Sequence, residues 1–256
     1  MMIKIENLTK QLENKWVLKN INLVILPGKF TVIIGQSGVG KSILLKIIIG
    51  LMKPTTGSIF YNQTNITQFT LDEEFDKHFK KIGYVFQFAA LLDSLTVFEN
   101  IAITLLEQGK PSSTILPIVE AMFRRINLNT DILHQYPSSL SGGMKKMVAF
   151  LRTLLTNPSI IFSDELASGL DPVTKTITYS TMRSIQKERN LTIVAVSHDT
   201  DIFRYADNVA LLHDGEIKFF GEAPTIWESD NPYIYQFIRG ETIGPLCTNF
   251  PCTSSQ

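Results

Sequence analysis

Apolar residues at Ile3, Ile5 and Leu8, and again at Val17, Leu18, Ile21, Leu23 and Ile25, alternate with polar neighbours in the two-residue period of strands with one wet face. Pro27-Gly28 breaks that run. The next apolar stretch, Phe30 to Ile34, is continuous and largely β-branched, the pattern of a strand buried on both faces within a parallel sheet. A glycine-rich turn follows, and 41–49 then runs in helical period until Gly50. Residues 54–57 read as a turn, and 58–61 and 82–86 as short strands around a charged middle at 72–81. From about 87 to 156 the strand signal stops, and 97–108, 115–126 and 144–155 have helical spacing and propensity. Strands return at 160–163, 192–197, 209–213 and 216–220. The last two flank Asp214-Gly215, a hairpin signal, and 174–189 fits a helix between the first two.

This order predicts an α/β fold with a parallel core sheet, an antiparallel N-terminal β subdomain and a helical insert. One domain over 1–240 is expected, with its core in 1–86 and 158–240 and the insert at about 87–157. Residues 241–256 contain two prolines and little periodicity, and read as an irregular tail.

The 256 residues are 44% hydrophobic and 19% charged, enough to build a large buried core and unlike a disordered or low-complexity chain. Lys plus Arg and Asp plus Glu both number 24, so the basic surplus of a phosphate-gripping nucleic-acid binder is missing and no nucleic-acid partner is expected. No window reaches the roughly 18 unbroken apolar residues of a membrane helix, and the first residues do not form a secretory signal. Two cysteines, Cys247 and Cys252, are too few for a disulfide framework and fit a reducing compartment.

Residues 35–42, GQSGVGKS, match G-x-x-x-x-G-K-[ST] between a buried strand and a helix. Gly35, Gly38 and Gly40, with Ser37, let backbone N–H groups wrap phosphate oxygens at the positive end of a helix. Lys41 would reach the β- and γ-phosphates, and Ser42 would bind Mg²⁺. The strand at 160–163 ends in Asp164-Glu165. At the carboxyl end of a parallel strand these acids either are solvated loop residues or face the nucleotide, Asp164 toward Mg²⁺ and Glu165 toward the attacking water; the phosphate loop upstream favours the second reading. Ser141, Gly142 and Gly143, in LSGGMKK, open a helix and form either a plain N-cap or a second anion-binding turn.

The phosphate loop, Gln87 after a strand, LSGG, Asp164-Glu165, Gly169-Leu170-Asp171 and His198 occur in that order. Over about residues 3–240 the chain resembles the ATP-binding subunit of ABC transporters. FQFAALLDSLTVFENIA, LSGGMKK and QFIRGETIGPL look most like its Mla/TGD-type phospholipid-transport subfamily. The resemblance implies a P-loop NTPase fold and an ATP hydrolase at the cytoplasmic face of the inner membrane. It also implies a homodimer clasping two ATP molecules with Mg²⁺, an integral membrane permease and an MCE-domain lipid-binding subunit. It casts Glu165 as the catalytic carboxylate, His198 as a γ-phosphate contact, and Gln87 as a bridge between Mg²⁺ and the attacking water. Ser42, Gln87 and Asp164 would hold the metal, while Ser141, Gly142, Gly143 and Asp171 would serve the opposite subunit's site.

Three departures alter these expectations. Leu166 stands where the family places Pro, which would loosen the turn after Glu165. Met144 replaces the Gln of LSGGQ. The adenine-stacking position is Leu12, with Trp16 four residues on, implying weak base selectivity. Residues 86–92, FQFAALL, read either as core of the insert or as a groove for a short permease helix. Residues 236–246 are a candidate dimer contact or a plain surface tail. A free-standing ABC-type ATPase of DNA repair or translation would carry two cassettes or a coiled coil, and a small-molecule kinase leaves LSGGM and His198 without a role.

Overall fold

The computed structural model describes residues 1–67 and 81–246. Cys247, Cys252, the rest of the tail beyond Leu246 and most of the charged stretch at 72–81 lie outside the described residues. Strands β1 (Ile3–Leu12) and β2 (Lys15–Ile25) form a hairpin through Glu13 and Asn14, both at positive φ (45° and 65°), the backbone a two-residue turn requires. Strand β3 (Phe30–Ile34) leads into α1 (Lys41–Ile48), followed by β4 (Thr56–Tyr61) and the short β5 (Thr64–Asn65). After β6 (Ile82–Val85) come helices α2 (Val97–Glu107), α3 (Ser112–Arg125) and α4 (Gly142–Leu155). The chain then alternates β7 (Ile160–Asp164), α5 (Pro172–Arg189) and β8 (Thr192–Ser197), before β9 (Asn208–His213), β10 (Glu216–Glu222) and α6 (Pro232–Arg239).

Two sheets result. One is antiparallel, in the order β2-β1-β4-β5; the other runs β10-β9-β3-β8-β7-β6. Within the second sheet every pair is parallel except β9 with β10. The α/β architecture, the antiparallel N-terminal portion and the helical stretch between β6 and β7 follow the sequence pattern. Strand β5 and helix α6 do not appear in the sequence pattern, since neither two residues nor a helix of 8 residues, about two turns, makes a strong periodic signal. Helix α6 is specified by its ends instead. Asn231 caps the Tyr233 and Ile234 N–H groups, Pro232 opens the helix and Gly240 closes it at φ 65°.

The β-branched run of β3, buried at every position including Thr31, has a simple cause: both faces are covered. Phe30, Val32 and Ile34 join Ile161, Ile193 and Ala195 in a core shared with α2 to α5. Ile33 joins Phe162, Val194 and Val196 in a second core shared with α1 and the antiparallel sheet. Trp227, 51% exposed, lies on the surface against Phe203.

Past α6, residues 241–246 are not a free tail. The buried amide of Gln236 donates to the Glu241 carbonyl at 3.0 Å and accepts from the Leu246 N–H at 2.7 Å, and Leu246 itself is buried. Half of the stretch considered as a dimer contact is therefore spent on its own chain, whereas Ile243 projects into solvent.

The start of β3 is clamped from two elements. Asp207 accepts the Phe30 N–H at 2.8 Å and a bidentate pair from Arg183 of α5 at 2.7 and 2.8 Å. Burial pushes the Asp207 carboxyl up, but the bonds from Arg183 and Phe30 and the charges of Arg183 and Lys29 outweigh it, leaving the group below its usual range. A depressed carboxyl stabilises the fold above its unfolded pKa, near 4, and that stability is lost as pH falls through the folded value. Urea unfolding of Arg183→Leu near neutral pH is expected to show a loss of about 1–3 kcal/mol. The gap to the parent chain should narrow below about pH 3; a gap independent of pH contradicts this account.

Candidate functional site

The phosphate loop leaves the carboxyl end of β3 in a conformation only glycine tolerates. Gly35, Gly38 and Gly40 have φ of 154°, 81° and 103°. A Cβ on Gly35 would lie 2.3 Å from the Leu212 carbonyl oxygen, and one on Gly40 would lie 3.0 Å from Cγ1 of Val17. The loop is thus pressed between β9 and β2 and cannot spread.

Lys41, the first residue of α1, is buried and points back into its own loop, donating to the carbonyls of Gly35 at 2.9 Å and Gln36 at 2.8 Å. Its ammonium lies 3.9 Å from Glu165 Oε1. Burial pulls the Lys41 pKa below its ordinary value, while Glu165 and Asp164 pull the other way. The result is a desolvated cation satisfied by two carbonyls and facing an open cleft of about 190 Å³, lined by Ser37, Gly38, Gly40, Lys41, Ser42, Ile43, Gln87 and Glu165.

The acids close the opposite wall. Asp164, at the end of β7, accepts from Ser42 Oγ at 2.9 Å and from the Tyr84 hydroxyl at 3.2 Å. Glu165 receives the Gln87 side-chain amide at 3.4 Å on one oxygen, and His198 Nδ1 lies 3.1 Å from the other. Six of the residues singled out from sequence thus fall into two adjoining sets of contacts, Lys41, Gln87 and His198 around Glu165, and Ser42 on Asp164.

The expectation of a loosened turn after Glu165 is corrected. Glu165 is at φ 48°, its N–H bonds the Val196 carbonyl at 3.1 Å, and its carbonyl accepts from the Ser168 N–H at 3.0 Å. Leu166 is buried in the larger core. An apolar anchor here does the fixing that a proline ring would do through φ.

Ser141, Gly142, Gly143 and Asp171 do not line this cleft. They gather elsewhere. Ser141 Oγ caps α4 by accepting from the Met144 N–H at 3.3 Å, and a Cβ on Gly143 would lie 2.8 Å from Cγ2 of Thr174. Thr174 in turn belongs to Asp171, which caps α5 by accepting the Val173 and Thr174 N–H groups at 3.1 and 3.0 Å. The Thr174 hydroxyl, which also donates to it at 2.5 Å, and then those N–H groups hold the Asp171 carboxyl below its usual range.

Three participants carry no motif. Tyr84 holds Asp164 from β6, and burial, reinforced by that nearby carboxylate, pushes its hydroxyl pKa far up. Lys146 donates to the Ser168 carbonyl, and Lys175 pairs with Asp199 beside His198 at 2.7 Å. A tyrosine inside a strand and a lysine on a helix have ordinary structural explanations, so sequence alone does not mark them. Trp16 is 47% exposed and adjoins Val17, which packs on Gly40.

In the 86–92 segment, Phe86, Phe88 and Leu92 are exposed, Phe88 at 82%, while Ala89 and Leu91 pack against the core. The segment is therefore divided between the two readings of it, with Leu91, partly buried, packed against the core.

A phosphate loop at a strand-to-helix turn, a carboxylate pair across the cleft and a separate LSGG helix start define an ATP-hydrolysing cassette. The chain belongs to the ABC transporter family, which it matches over residues 18–168, and is an ATP-hydrolysing transport ATPase. It is 34% identical over 246 residues to the probable ribonucleotide transport ATP-binding protein mkl of Mycobacterium leprae, covering 95% of this chain and 70% of the relative. It is 40% identical over 226 residues to the methionine import ATP-binding protein MetN of Francisella tularensis subsp. holarctica, covering 86% and 64%. Among solved structures it superposes on the dimeric post-hydrolysis cassette MJ0796 bound to ADP and Pi with a TM-score of 0.73 at 31% identity, covering 86% of this chain and 98% of that one. Among the described residues no helix is long and apolar enough to cross a membrane.

Because Gly40 combines φ 103° with close contact to Val17, Gly40→Ala is expected to weaken binding of a fluorescent ATP analogue by more than about tenfold. Unchanged affinity would mean that the loop has slack these contacts do not show.

Proposed function

We propose that this chain is the motor subunit of a phospholipid transporter, in which two copies close around two ATP molecules and drive a membrane permease from its cytoplasmic side. The observation that carries the motor reading is that Lys41, Ser42, Gln87 and Glu165 line one cleft, with Asp164 bonded to Ser42 and His198 to Glu165 behind it, whereas Ser141–Gly143 and Asp171 neither line it nor bond its residues. On this reading the second group, set apart from the chain's own cleft, serves a partner copy's nucleotide. That supports a homodimer with sites completed in trans.

Each residue has a task its position suits. The loop N–H groups and Lys41 hold the phosphates; an incoming phosphate replaces the Gly35 and Gln36 carbonyls as partner of the ammonium and offsets the desolvation of its charge. Ser42 and Asp164 are hard oxygen donors 2.9 Å apart, and with Gln87 they form a donor set suited to Mg²⁺, which would neutralise phosphate charge when bound. Glu165 accepts the proton of the attacking water, Gln87 orients that water, and His198 contacts the γ-phosphate while fixing the Glu165 carboxylate. ATP charge at two shared sites draws the copies together; hydrolysis cuts the γ-phosphate from ADP, which breaks the contacts that bridged the copies and releases them.

The phospholipid cargo, with an MCE-domain subunit beside the permease, rests on FQFAALLDSLTVFENIA, LSGGMKK and QFIRGETIGPL. The relatives' names point to ribonucleotide and methionine transport, and an ATPase of this kind does not touch cargo. Exposed Phe88 and Leu92, beside Gln87, are the surface proposed to receive the permease.

Glu165→Gln is expected to bind ATP, remain dimeric and hydrolyse at least about a hundredfold more slowly. Near-parent turnover removes Glu165 from the role of base. Pull-down of that tagged variant with ATP from solubilised native membranes tests the cargo. A polytopic permease with an MCE-domain protein supports phospholipid; a permease with a soluble solute-binding protein keeps the motor and discards the lipid. Phe88→Glu and Leu92→Glu should each uncouple transport and spare ATP binding. Normal transport by both variants sinks the docking surface.

A further inference from the structure

Helix α4 starts at the Ser141 cap and runs through Leu155. Near its far end, about 16 Å along the axis from Ser141 at 1.5 Å per residue, stands Arg152. Its guanidinium reaches across to the loop after β6, donating from Nη1 to the Ala90 carbonyl at 2.7 Å and from Nη2 to the Ala89 carbonyl at 2.9 Å. These are the second and third residues after Gln87. The next residue of the helix, Thr153, bonds the Tyr84 carbonyl at 3.3 Å on the other side of Gln87.

The loop needs such a clamp. Between Gln87 and Leu91 the described hydrogen bonds come from side chains, namely Arg152 and the bond of Gln87 to Glu165. Ala90 sits at φ 48°, a conformation unfavourable for a residue with a Cβ, and Phe88, between Gln87 and the clamp, is 82% exposed. Beyond the clamp, Asn100 fastens Leu92 through its N–H at 2.7 Å and its carbonyl at 2.9 Å. A flexible Gln87 would spend little time 3.4 Å from Glu165.

We infer that Arg152 is a positioning residue for hydrolysis, holding the Ala89 and Ala90 carbonyls so that Gln87 stays on Glu165, and thereby joining the helix that begins at LSGG to the chain's own catalytic cleft. The inference rests on the proposed role of Gln87. The fork geometry is specific: two parallel donors meet two successive carbonyls, which an ammonium cannot match. Only the placement of Gln87 depends on it, so the phosphate grip of the loop at 35–42 should be untouched.

Steady-state ATP hydrolysis by the full chain, compared in the parent and Gln87→Ala backgrounds, tests this. Arg152→Gln is expected to lower kcat about tenfold with KM for ATP within about twofold, and Arg152→Lys to fall between. In the Gln87→Ala background the same substitutions should cost nothing further. A purely structural role would give equal losses in both backgrounds, and that result overturns the inference while leaving Gln87 its role. A Gln87→Ala chain that hydrolyses at the parent rate overturns both. If Arg152→Gln does not fold, Arg152→Lys carries the same comparison in both backgrounds.

Discussion

Everything at the nucleotide edge depends on three parallel strands ending level with one another. In the register of β3 with β8 and of β8 with β7, Ile34 lies opposite Ser197, and Asp164 opposite Val196. The phosphate loop begins one residue beyond Ile34, Glu165 one beyond Asp164 and His198 one beyond Ser197. Side-chain reach is only a few ångströms, so a slip by one residue would separate these groups and turn buried faces outward. The register is secured by the two cores that cover the sheet, and at the start of β3 by Asp207 and Arg183.

The cleft built on that edge combines a buried cation, a strained carboxylate-bearing turn and a crowded glycine loop. Each is unfavourable by itself. Lys41 is desolvated, Glu165 occupies left-handed backbone, and Gly35 leaves no room for a side chain. They persist because neighbours over-determine them: two carbonyls on Lys41, backbone bonds on both sides of the Glu165 peptide, and Leu166 driven into the core. Phosphate binding then meets donors already aimed, with little left to reorganise.

Much of this was legible in the sequence, for identifiable reasons. Strands covered on both faces need apolar residues at every position, so β3, β7 and β8 stand out without any structural knowledge. Phosphate loops need glycine where φ is positive, which writes Gly35, Gly38 and Gly40 into the chain. What stayed hidden acts through ordinary residue types. Tyr84 looks like any strand aromatic, Arg152 like any basic residue late in a helix, and Gln236 like a surface polar group rather than a buried anchor for Leu246. The turn at Leu166 shows the same limit: the missing proline was visible, but the pocket that takes its place is made by distant residues.

The placement of the tryptophans has an optical consequence. The chain has two, Trp16 and Trp227, and they are 47% and 51% exposed. Both indoles already sit in a polar, water-accessible setting in the folded state, so unfolding changes the solvent around them far less than it would for a core tryptophan. Intrinsic emission from this protein therefore reports chiefly on its surface, at the β1–β2 hairpin beside the phosphate loop and at the turn that packs on Phe203.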